Sequence, residues 1–291
     1  MDFDLWLPAA NPFATPEYLE AVGCEAEARG IHGVWVGEHV VTFEDYASRY
    51  PYAEGGKIPM PPGSGLLEPF TTLAFLAAVT TSVRLGTAMC LLPQRNPVYS
   101  AKEVATVDWL SGGRVDLGVG VGWLREEFEA LEVPWERRGE RTDEYLQVLR
   151  ALWCDDPSAF SGAYYSLPPC SLHPKPLQDP HPPVHIGGES EAALRRAARG
   201  GQGWHTFNRA PVDLPDAVAH LEALLAEHGR ARSEVRVTVC PYFKPLDAPI
   251  TEQYAEAGAD AVSALLFAAS PDDVPAAFEA LGPCLDRARA C

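Results

Sequence analysis

Eight short β-type runs, each followed by a stretch of helical period, alternate along the whole chain. The runs are Phe3–Leu7, Gly33–Val36, Val83–Thr87, Val115–Val119, Val184–Ile186, Gly203–Thr206, Val235–Val239 and Ala261–Leu266. Helices are expected near Pro16–Arg29, with Gly30 as its C-cap, and near Pro69–Thr80, Pro97–Leu110 and Gly139–Trp153. Four more are expected at Ser190–Arg199, Leu214–His228, Ile250–Ala257 and Asp272–Arg289. Eight βα units in 291 residues predict an α/β fold, a (β/α)8 TIM barrel with insertions. An open doubly wound sheet fits badly. It would place its glycine fingerprint after the first strand, where Pro8-Ala9-Ala10-Asn11-Pro12 stands, whereas Gly118-x-Gly120-x-Gly122 follows the fourth. One domain, 1–291, is expected, with insertion loops at about 41–66 and 154–183. The first leaves the C-terminal, site-bearing side of such a barrel; the second starts from a helix end and is discounted.

Charge narrows the partners. With 23 Lys and Arg against 40 Asp and Glu, the formal charge is −17, too acidic for nucleic acid or an anionic membrane surface. The N-terminus is acidic and carries no secretory signal pattern, and Leu66–Val83 reads as a buried helix and not a membrane span. Seven scattered cysteines without a C-x-x-C pair suit a reducing cytoplasm and supply neither a disulfide framework nor a zinc site.

Chemistry in a barrel belongs at the C-terminal strand ends. Gly37-Glu38-His39 ends the second strand, offering an imidazole for acid–base work with an adjacent carboxylate to tune it. His185 and His205 form no His-x-His pair, so metal-assisted hydrolysis is not expected and no metal site is assigned. Gly187-Gly188-Glu189-Ser190 opens a helix, where free N–H groups suit a phosphate, although an ordinary capped turn has the same sequence. Gly86, Thr87 and Ala88 on the third strand, and Gly120 and Gly122 after the fourth, would let a flat ligand press on the backbone. Cys90 has no acid–base partner in the sequence. Spacing alone reaches a planar, phosphorylated cofactor and no further.

These stretches, taken in order, resemble the bacterial luciferase-like flavin/deazaflavin oxidoreductases, particularly the actinobacterial branch assigned to coenzyme F420. The resemblance is carried by Trp35-Val36-Gly37-Glu38-His39, Tyr50-Pro51-Tyr52, Arg84-Leu85-Gly86-Thr87, Leu92-Pro93-Gln94-Arg95-Asn96-Pro97 and Leu110-Ser111-Gly112-Gly113-Arg114. It continues through Gly118–Trp123 with Glu126-Glu127-Phe128, Arg138-Gly139-x-Arg141, Pro182–Ser190 and Gly201–Trp204. It implies a barrel with the cofactor ring across its C-terminal mouth, backed by a bulge with a cis bond at Ala88–Met89. It further implies that Gly187, Gly188, Glu189 and Ser190 take the phosphate side, that Glu38 and Thr87 touch the ring, and that His39 faces the reacting atom. Phe43, Tyr52 and Trp123 would wall the substrate. Trp123 stands where the sugar-phosphate dehydrogenases of the family carry an acid, so an apolar or aromatic organic substrate is expected. F420 is the cofactor the resemblance favours, with FMN and monooxygenase chemistry as the alternative, and a catalytically silent cofactor-binding protein as a second. Arg95, Arg195 and Arg196 are the cations nearest to serve an acidic F420 tail. The family is usually homodimeric.

Overall fold

The computed structural model describes residues 1–291. Eight parallel strands close into a barrel: β1 (Asp2–Leu7), β2 (Gly33–Val36), β3 (Arg84–Thr87), β5 (Val115–Gly120), β8 (Val184–Gly187), β9 (Gly203–Phe207), β10 (Arg236–Cys240) and β11 (Ala261–Leu265). The ring closes because β1 pairs with β11 and β3 with β5. The two-residue β4 (Cys90–Leu91) extends the third barrel strand and also pairs with β5.

Helices alternate with these strands: α1 (Pro16–Ala28), α2 (Pro69–Val79), α3 (Pro97–Ser111), α5 (Arg138–Cys154), α6 (Glu191–Gly200), α7 (Leu214–Glu227), α8 (Ala248–Glu256) and α9 (Val274–Ala290). The first three share one start signal. Thr15, Glu68 or Asn96 caps free N–H groups with its side chain, and proline occupies the first helical position, where no donor is missed. Gly112, at φ +73°, ends α3, whereas Arg29 is the C-cap of α1 and Gly30 lies one residue beyond it. The expected strands and helices agree to within one or two residues. A short helix, α4 (Arg125–Ala130), and the antiparallel pair β6 (Ser158–Ser161) and β7 (Ser166–Cys170) were not foreseen. Both are too short for periodicity to mark, and α4 has no side-chain cap. No helix is long and apolar enough to cross a membrane.

Side chains alternate along every strand. One set, with Val34, Leu85, Val237 and Val262, joins a cluster of 60 buried apolar residues between barrel and helices. The other set points into the barrel. Trp6, Trp35, Ala88, Phe207 and Cys240 form its upper layer, and ion pairs close its base. There Arg84 grips Asp116 at 2.5 Å, and Arg236 reaches Asp4 at 3.1 Å. Burial opposes the ionised Asp116, but bonds from His185 and Arg84 outweigh it and hold the carboxyl below the usual range. Gln178, from the second insertion, bonds Arg84 and Asp108 at the same base, and no residue of 154–183 reaches the opposite mouth.

The Trp35 indole is 2% exposed and fills the barrel because β3 offers it a glycine. A Cβ on Gly86 would fall 2.2 Å from a carbon of that ring. Gly86→Ala should therefore lower unfolding free energy by about 2 kcal/mol or more in chemical denaturation, since the close-packed interior cannot yield. A change under about 0.5 kcal/mol would contradict this packing.

Candidate active site

A cavity of about 960 Å³ opens at the C-terminal mouth, and its wall is mainly aromatic and aliphatic. Its lining includes His39, Tyr52, Ala88, Met89, Gly120, Gly122, Trp123, Gly187, Gly188, Glu189 and Ser190, all expected from the sequence. The 41–66 loop covers one side with Tyr50, Ile58 and Met60. No lysine or arginine lines it.

The floor is the segment after β3. The Ala88–Met89 peptide is cis, Ala88 N donates to Val36 O, and the Trp6 indole N–H donates to Ala88 O at 3.1 Å. Met89 lies against β8 so closely that a Cβ on Gly187 would strike its thioether. Beyond that glycine, the N–H groups of Gly188, Glu189 and Ser190 find no acceptor in the protein. Ser190 caps α6, its Oγ accepting from Ala193 N at 3.2 Å. Unpaired donors at the head of a ten-residue helix, on the wall of an apolar cavity, match a phosphate.

Four sequence expectations are corrected. Glu38 lines the cavity as expected but does not partner His39: one carboxylate oxygen accepts from Leu91 N at 2.6 Å and the other from Arg95 Nε at 2.7 Å, so it ties the floor segment to Arg95. Thr87 is fully buried, donates to Gly118 O, and is not on the cavity wall. The Glu189 carboxylate is turned away to Thr206, Phe207 N and Arg209, leaving only its backbone for a ligand. Phe43 stands outside the lining, its place taken by the tyrosines further along the loop. The three arginines considered for an acidic tail are already paired. Arg95 holds Glu38, Glu68 and Glu103; Arg195 holds Glu191 and Glu227; Arg196 holds Asp143.

The partner of His39 is Glu127, on α4. Its side chain is fully buried, and Oε2 takes His39 Nδ1 at 3.2 Å and Gln94 Nε2 at 3.1 Å. Its Oε1 accepts from Val40 N at 2.7 Å and Val41 N at 3.4 Å. Burial alone would raise this carboxyl, but these donors, His39 foremost, hold it below its ordinary value. An ionised carboxylate only accepts, so Nδ1 carries the ring proton. The Trp123 indole, which only donates, lies 3.3 Å from Nε2. Both neighbours thus select one tautomer, with a lone pair on Nε2 at the cavity. Glu127 appeared in the sequence only inside a matching stretch; nothing local showed that α4 would carry it 88 positions back to His39.

A carboxyl held low in the fold stabilises it above the unfolded carboxyl pKa and ceases to as pH falls through the folded value. Glu127→Gln should cost about 2 kcal/mol at neutral pH, with buried donors left unsatisfied. The gap in Tm from wild type should narrow below about pH 4, where the native carboxyl also protonates. A gap constant from pH 7 to pH 3 would contradict an ionised Glu127.

Residues 1–272 match the model of the luciferase-like monooxygenase family. An uncharacterised protein of Mycobacterium tuberculosis is 35% identical over 229 residues, 79% of this chain and 74% of that protein. An FMNH2-dependent dimethylsulfone monooxygenase of Pseudomonas putida is 33% identical over 159 residues, 53% of this chain and 44% of the enzyme. Among solved structures, an F420-dependent secondary alcohol dehydrogenase in complex with an F420–acetone adduct superposes with a TM-score of 0.77, at 19% identity and 99% coverage of each chain.

Proposed function

The chain belongs to the luciferase-like monooxygenase family, and on that premise we propose that it is an F420-dependent oxidoreductase acting on a neutral, largely apolar organic molecule. One observation carries the reading. The His39 Nε2 lone pair, fixed by Glu127, faces an apolar cavity beside unpaired N–H groups at the head of α6. The donor set fits a flat ring with a phosphate: Gly188, Glu189 and Ser190 would hold the phosphate, and Ala88, Met89, Gly120 and Gly122 would back the ring. Bound there, a deazaflavin supplies hydride exchange with a substrate carbon.

The protein's own contribution is proton management and exclusion of water. His39 Nε2 accepts a substrate hydroxyl proton once that hydroxyl displaces the Trp123 N–H, and returns it in the opposite direction. Glu127 offsets the positive charge on the ring while the proton is held. The aromatic wall keeps bulk water from the exchange. A cavity without lysine or arginine disfavours sugar phosphates and carboxylates, whose charge would go unpaired.

A second reading, an FMN-dependent monooxygenase, is favoured by the pairing of Arg95, Arg195 and Arg196 within the protein. FMN asks only for the phosphate cradle, whereas the acidic F420 tail must run out past the wall to solvent-side cations. Titration of the purified protein with each cofactor, read by ring fluorescence, separates the two. Micromolar or tighter F420 binding is expected, with His39→Ala binding alike but turning over about a hundredfold more slowly or worse. Tight binding of FMN alone would overturn the F420 assignment.

A further inference from the structure

Two phenols meet on the cavity wall. The Tyr50 hydroxyl donates to that of Tyr242 at 2.9 Å, and each residue is less than a tenth exposed. Tyr50 comes from the 41–66 loop. Tyr242 comes just after β10, at the strand end where barrel chemistry gathers. One proton of the pair is spent in their mutual bond. The other, that of Tyr242, meets no acceptor in the protein.

The backbone holds that hydroxyl in place. Tyr242 has φ +58°, in the left-handed region a bulky side chain seldom adopts, and such conformations concentrate at ligand sites. Trp6 packs edge-on against its ring at 5.2 Å and Phe207 at 6.0 Å. Burial pushes the Tyr242 phenol up to about 12 and raises Tyr50 further, so both remain donors across the physiological range. On the other side of Tyr50, Trp123 lies at 5.0 Å and leads to His39.

We propose that the Tyr50–Tyr242 pair is the polar subsite for substrate, donating through Tyr242 to an acceptor oxygen on a neutral molecule with an apolar or aromatic body. The inference rests on the oxidoreductase reading of the cavity and narrows its substrates to ketones, alcohols and similar oxygen-bearing compounds. Pure hydrocarbons leave the Tyr242 donor unpaired, and no lysine or arginine on the wall pairs the charge of a carboxylate placed at the two phenols.

Calorimetric titration of the full chain, without cofactor, with acetophenone and ethylbenzene tests this. Acetophenone should bind about fivefold or more tighter than ethylbenzene, which matches its body without the oxygen. Tyr242→Phe should abolish the advantage of acetophenone while leaving ethylbenzene within about twofold. Tyr50→Phe, which removes only the bond orienting the Tyr242 hydroxyl, should reduce that advantage less. No binding of acetophenone, equal binding of the two neutral ligands, or equal losses for both in Tyr242→Phe would each overturn the subsite. Binding is read without turnover, so failure here is distinct from failure of the oxidoreductase reading, which would appear as binding of neither F420 nor FMN.

Discussion

A single buried carboxylate organises the His39 side of the barrel mouth. Glu127 reaches from α4 to the end of β2 and gathers His39, two backbone N–H groups and the Gln94 amide on its two oxygens. A charge so far from water is tolerable only with all its donors in place. That requirement runs both ways. The donors hold Glu127 ionised, and the ionised Glu127 holds His39 in one tautomer and the chain at Val40 and Val41 in one path. Glu38, also on the cavity lining, fastens the floor segment to Arg95.

Charge is distributed to match. The chain carries −17 overall, yet three arginines at the barrel are committed to carboxylates: Arg84 to Asp116, Arg236 to Asp4, Arg95 to three glutamates. The cavity is left without a cation on its wall. Any phosphate there must be met by backbone N–H groups at the head of α6, which carry a partial positive charge at no cost in buried cations. The remaining surface is mainly apolar and aromatic, and two of its tyrosines meet through their hydroxyls. A neutral substrate beside a backbone-held phosphate is consistent with that division.

The barrel was legible in the sequence because its signals are local and repeated. Strands and helices alternate with matched lengths, and a capping residue followed by proline opens three helices. His39 and the Gly187–Ser190 turn were legible for the same reason, since strand ends and helix starts leave marks within a few residues. What stayed hidden depends on contacts across the chain. The adjacency of Glu38 and His39 suggested a pair, but Glu38 is taken up by Leu91 N and Arg95, and the true partner arrives from 88 residues away. Thr87 likewise points away from the mouth, whereas Ala88, one residue on, faces it. Tyr242 carried no mark at all: its role comes from a left-handed backbone turn and from Tyr50 meeting it across 192 positions.

The central claim is that Glu127 holds the His39 ring proton on Nδ1, while Trp123 donates to Nε2 and keeps it an acceptor on the cavity side. Long-range ¹H–¹⁵N correlation of the imidazole, in protein labelled at histidine and assigned by His39→Gln, reads that state directly. For the uncharged imidazole the account predicts the proton on Nδ1 and an acceptor-type Nε2, with the pattern lost in Glu127→Gln. A proton on Nε2 in the wild-type protein, or an unchanged pattern in that variant, would contradict it.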